Sequence, residues 1–133
     1  MPRSGCFAVG LFCAVFCCAA GSLFAQSVKV HCDNAVHASL CAALQGALEQ
    51  SAPQRMVSVS YADAPTDTGH LVVWFQPKTW SPSLISGQLV WRDSKGTEAA
   101  GPLLDMAILD GSKTTGDLDA FARILVQFSP IPL

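Results

Sequence analysis

SVKVHCDNAVHASLCAALQGALEQ, residues 27–50, changes its hydrophobic period half-way along, and that change decides the fold. Ser27 to His31 alternates apolar and polar with Val28 and Val30 on one side, the two-residue period of a half-buried strand. Asp33 and Asn34 follow with short oxygen-bearing side chains, which accept the orphan N–H groups of a first helical turn. From Ala35 to Gln50, Val36, Leu40, Leu44 and Leu48 step by four. Ala43 and Ala47 fill the same side, and Gln45 and Glu49 lie opposite. This predicts an amphipathic helix with one core face. Ser51-Ala52-Pro53 ends it, because proline has no N–H to carry the ladder on.

The same stretch holds Cys32 at the end of the strand and Cys41 early in the helix, on the margin of its apolar face. The two thiols are close enough to be joined in an oxidising compartment. A closed loop this short is worth about 2.5 kcal/mol in the chain-entropy account. The spacing is not the C-x-x-C arrangement that activates a thiol at a helix start, so the bond is expected to be structural.

Working outward, residues 1–25 supply that compartment. Met1-Pro2-Arg3 is a short positive start, Cys6 to Ala20 is nearly all apolar, and Gly21 to Ala25 is a small-residue exit before Gln26. This three-part layout is that of a secretory signal peptide, with cleavage expected after Ala25. The leader takes four of the six cysteines with it, leaving Cys32 and Cys41. Residues 26–133 then form one exported domain, periplasmic or secreted. No later segment reaches the ~20 apolar residues needed to span a bilayer, so no stable membrane span is expected after cleavage.

Downstream of the helix the period returns to two. Arg55 to Tyr61 alternates, with Val57, Val59 and Tyr61 on one side. His70 to Gln76 (HLVVWFQ) is apolar on both faces and reads as the central strand. A loop is expected over Pro77 to Ser83, carrying Trp80. Leu84 to Arg92 turns Ile85, Leu89 and Trp91 one way and Ser86, Gln88 and Arg92 the other. Asp93-Ser94-Lys95-Gly96 is a tight turn with glycine where positive φ is needed. Thr97 to Ala100 returns, Gly101-Pro102 interrupts, and Leu103 to Leu109 resumes. Thr114 and Asp117 have capping-box spacing ahead of a largely apolar helix to Phe128.

The order is β-α-β-β-β-β-α. It predicts a two-layer α+β domain with a mainly antiparallel sheet of four to five strands and both helices on one face. This order resembles that of the amino-terminal domain of TolB-like periplasmic proteins, in which a helix follows a late hairpin; the likeness is one of topology, carried by no shared motif.

The whole chain has a net charge of −2, and losing Arg3 with the leader shifts it to −3. Its basic residues are scattered singly, which argues against a nucleic-acid surface, since that needs clustered Lys and Arg. No Gly-rich phosphate cradle, G-x-S-x-G elbow or S-x-x-K motif occurs, so neither catalysis nor a cofactor is expected. His31, Asp33 and His37 are the one constellation with metal-ligating side chains, at a strand-to-helix junction. The simpler account is that Asp33 caps the helix and adjacent strand residues point to opposite faces.

A binding surface is the stronger expectation. If the helices cover Leu71, Val73, Phe75, Leu89 and Trp91, then Val72, Trp74 and Val90 share the other face with Arg92. Trp80 in its loop would add a second aromatic. An apolar patch with a polar rim suits a protein partner. The sequence therefore points to a small exported, non-catalytic module, an accessory of the cell envelope whose partner is another envelope protein. The alternative is a secreted metal-binding or hydrolytic enzyme centred on His31, Asp33 and His37.

Overall fold

A computed structural model of the chain describes residues 27–32, 38–61, 69–109 and 113–133. The elements are β1 (Val28–His31), α1 (Ala38–Ser51), β2 (Val57–Ser60), β3 (Leu71–Trp80), β4 (Leu84–Arg92), β5 (Glu98–Ala100), β6 (Leu104–Ala107) and α2 (Thr115–Phe128). The expected leader, residues 1–25, and the residues 33–37 between β1 and α1 lie outside the described residues.

The sheet runs β2-β1-β3-β4-β5, with β6 also paired to β4. β5 and β6 take successive halves of the same edge, opposite Val90–Arg92 and Leu84–Gly87 respectively. They are one strand broken at Gly101-Pro102, as the sequence suggested. Proline cannot donate to a ladder, and the Gly101 N–H turns instead to the Leu89 carbonyl at 2.8 Å.

The expected two-layer α+β architecture is present, but its sheet is mixed. β1 lies parallel to both β2 and β3, while β4 is antiparallel to β3, β5 and β6. The cause is α1. A helix between two strands is a crossover connection, which brings the second strand back in the same direction as the first. Only β3–β4 and β4–β5 are the tight hairpins that alternation and turn residues announce.

The core lies on one face of this sheet. Val28 and Val30, Leu71 and Val73, and Ile85 and Leu89 are essentially inaccessible, as are Leu40, Leu44 and Leu48 of α1 and Phe121 and Leu125 of α2. α1 packs on β1 and β2, α2 reaches β4, and the helices pack on each other. Each such side chain contributes roughly 1.5–3 kcal/mol by leaving water.

Local chemistry sets the ends of these elements. Thr114 Oγ1 accepts from the Asp117 N–H at 3.1 Å, and Asp117 Oδ2 accepts from the Thr114 N–H at 3.0 Å. That reciprocal box starts α2 at Thr115, two residues before the expected Asp117. These bonds hold the Asp117 carboxyl below its ordinary pKa, with the Thr114 backbone N–H the larger cause. In the β4–β5 hairpin, Asp93 Oδ1 accepts from Lys95 and Thr97 N–H, both at 2.9 Å, while Gly96 takes φ +86°.

β3 departs from expectation by running through Pro77 to Trp80, where a loop was predicted. Its pairing with β1 stops at Trp74, so further on it has a strand neighbour only in β4. A proline on such a one-sided stretch forfeits little. The register shifts between Pro77 and Thr79, and the strand resumes with its faces exchanged.

Candidate functional site

Strand alternation and register place Ser58 and Ser60, Lys29 and His31, Val72, Trp74 and Gln76, and Gln88, Val90 and Arg92 on the face turned away from both helices. Trp74 faces Val90 and Val72 faces Arg92 in adjacent pairs. The Arg92 guanidinium crosses that square diagonally, its Cζ lying 5.9 Å from the Trp74 ring centroid. Its Nη2 also reaches Glu98 Oε2 on β5 at 3.4 Å. The two valines occupy the remaining corners and are buried, 1% and 5% exposed. The apolar patch expected here is therefore a capped one. Its outermost layer is a half-buried indole under a cation, flanked by a Gln88-to-Gln76 amide bond of 3.0 Å.

Trp80 is not part of this face. The register shift turns it towards Ile85, on the helix side, where its ring meets Phe75 edge-on at 6.2 Å. Phe75 in turn meets Phe121 of α2 at 5.9 Å, and Lys113 Nζ sits 5.0 Å from the Trp80 centroid. Gly87 makes this cluster possible, since a Cβ there would run into the Phe75 ring and the Gln76 carbonyl. The two tryptophans expected to act together are thus on opposite sides of the sheet. The physical reason is the single shift at Pro77–Thr79.

Cys32 and Cys41 are joined, with Cα atoms 6.1 Å apart. Both are buried, 1% and 4% exposed, so the bond ties the end of β1 to α1 from within the core. His31, the neighbouring residue, points to the other face. Asp33 and His37 lie outside the described residues. Among the described residues no group of three His, Cys, Asp or Glu side chains is arranged to hold a metal ion.

One polar pairing has no counterpart in the sequence reading. Ser27, at the start of β1, hydrogen-bonds through Oγ to His70 Nδ1 at 2.5 Å, and the Ser27 carbonyl accepts from the Leu71 N–H at 3.3 Å. The two residues are 43 apart in the chain and belong to no motif. Only the parallel pairing of β1 with β3 brings them together.

No family model matches this chain, and no curated protein matches it in sequence. Its backbone is similar to solved structures. A PelC variant from Paraburkholderia phytofirmans, solved as a dodecamer, shares 14% identity, covers 77% of this chain and 87% of its own, and superposes with a TM-score of 0.52. A second crystal form of the PelC dodecamer gives 14% identity, 76% and 81% coverage, and a TM-score of 0.47. A minor lipoprotein from Acinetobacter baumannii gives 12% identity, 77% and 91% coverage, and a TM-score of 0.40. At such identities the likeness is one of fold. Among the described residues no helix is long and apolar enough to cross a membrane.

Proposed function

We propose that this protein is an exported accessory domain of the cell envelope that works by binding other protein chains rather than by catalysis. The observation that carries this reading is the sheet face left uncovered by both helices, where Trp74, Val72, Val90 and Arg92 form a compact unit with polar neighbours. Such a unit has the makings of a contact centre: a large aromatic, an arginine, and buried aliphatics beneath them. The buried Cys32–Cys41 bond is consistent with an oxidising compartment and hence with the leader reading of residues 1–25. The fold likeness to a protein solved as a dodecamer supports other protein chains, further copies of this one included, as the partners.

The test is affinity capture of the exported protein from its own envelope, comparing the wild type with Trp74→Ala and Arg92→Glu. The expected result is a specific partner, or the protein's own untagged copies, recovered with the wild type and lost with both variants. Equal recovery from the two variants, with folding intact, would remove this face from the proposal. A chain found in the cytoplasm with its first residues still attached would remove the envelope role.

A further inference from the structure

One ladder row of the open face carries more positive than negative charge, on a chain whose net charge is −2. It runs Ser58, Lys29, Val72, Arg92, Glu98 across five strands. Lys29 and Arg92 stand on either side of Val72, about 10 Å apart at their Cα atoms, twice the spacing of neighbouring strands. Among the described strand residues on this face the carboxylates are Glu98 and Asp105, both on the β5–β6 edge. Asp105 accepts a hydrogen bond from Ser86 Oγ. Glu98 meets Arg92 with both side chains well exposed, so water screens the pair. The middle of the face is thus cationic, with its acids set to one side.

Arg92 can exchange its contact with Glu98 for a stronger one. A charge-assisted hydrogen bond at its best is about 2.8 Å long, and a carboxylate facing a guanidinium squarely takes two parallel N–H donors. The Nη2 to Oε2 contact with Glu98 is 3.4 Å. Stacking beside the Trp74 ring, at 5.9 Å from its centroid, orients the planar group for an acceptor arriving from outside. Farther along the face, beside the Gln88–Gln76 amide bond, Gln76, Pro77, Lys78, Gln88 and Leu103 line an open groove of ≈ 410 Å³. Leu103 is one of the large apolar side chains left exposed. Gln88 precedes Arg92 by four residues on β4, a rise of about 13 Å. An extended peptide has the same rise and returns its side chains to one side at every second residue. Its positions i and i+4 therefore reach Arg92 and the groove together.

Resting on the contact-face reading above, we propose that the partner segment bound by this face is an acidic, extended peptide. Its carboxylate sits between Lys29 and Arg92 beside Trp74, and its apolar side chain, four positions away, fills the groove at Leu103. Charge complementarity selects this occupant. A basic segment would meet Lys29, Arg92 and Lys78 as like charges, which interfaces penalise heavily. A neutral segment would leave Arg92 with Glu98 and gain the groove alone.

The experiment selects binders from a displayed library of random peptides, about twelve residues long, on the exported, purified wild-type protein. Recovered peptides are then titrated by fluorescence anisotropy against wild type, Arg92→Glu and Trp74→Ala, with thermal unfolding to confirm that each variant is folded. The expected result is a set of peptides with Asp or Glu four positions from a large apolar residue. Arg92→Glu should weaken them about tenfold or more. Exchanging the peptide's acid for its amide should weaken them likewise, a test that needs no change in the protein. Lysine in place of that acid should restore binding to Arg92→Glu. Binders that depend on Trp74 but carry no acid overturn this inference and leave the contact face in place. Binders indifferent to both variants overturn the contact face as well. An absence of binders overturns the acidic segment, and self-association lost in Arg92→Glu would then give the face to a second copy of the chain.

Discussion

The two faces of the sheet are built from the same alternating strands, yet they are held by different physics. On the helix side, Val30, Val73, Leu89, Phe121 and Leu44 exclude water completely and interlock with two helices. On the other side, burial of Val72 and Val90 accompanies a cation and an indole laid across one square of the sheet, with Glu98 and the glutamine pair at its rim. The first arrangement is stabilised by area removed from water. The second depends on exposed polar contacts, which are weak individually and open to exchange with a partner's groups. A domain with one face of each kind draws most of its stability from the helix side, so the exposed polar residues of the open face are expected to change with little loss of the fold.

Removing packing from the helix side gives the largest expected effect. Phe121→Ala is expected to lower unfolding free energy by about 3–5 kcal/mol in urea titrations. A loss near that measured for Arg92→Ala would erase the distinction between the faces. Next comes the covalent tie beneath α1. The double variant Cys32→Ala, Cys41→Ala is expected to lose about 2.5 kcal/mol, and reductant is expected to lower the melting temperature of the wild type but not of the variant. Two titratable thiols in the denatured, unreduced wild type would show that the bond does not form.

The start of α2 gives a smaller, pH-dependent effect. Thr114→Ala is expected to cost about 1 kcal/mol at neutral pH. The Asp117 carboxyl titrates lower in the folded chain than in the unfolded one, so its contribution is fully present above the ordinary value of 3.8 and is lost as the pH falls through the lowered one. Wild type and Asp117→Asn should therefore differ in stability at neutral pH and converge in acid. A constant difference across that range would mean that the bonds with Thr114 do not respond to the charge. The smallest change is expected on the open face, where Arg92→Ala should alter stability by about 1 kcal/mol or less. A much larger loss would mean that this face is structural.

Much of this was legible because periodicity is a local property. The strand faces of β1 and β4, the four-residue step of α1, the Gly96 turn and the Thr114–Asp117 box each follow from a few neighbouring residues. Trp80 was misplaced because the Pro77–Thr79 shift exchanges the faces of β3 at a point where the sequence shows only a proline, which reads equally as a loop. Capping of the open-face valines was also out of reach, since it requires the exact register of β3 against β4.

Residue type and spacing alone determined which side chains seek the interior, where α1 ends, which capping box opens α2, and that Cys32 and Cys41 are close enough to be joined, because these depend on interactions within a few residues. Tertiary structure alone decided that β1 runs parallel to its neighbours, that Trp74 and Trp80 lie on opposite sides, and that Ser27 meets His70. Those outcomes depend on where a crossover returns the chain. Many strand arrangements satisfy the same local pattern, and only burial of the whole core against one sheet face selects among them.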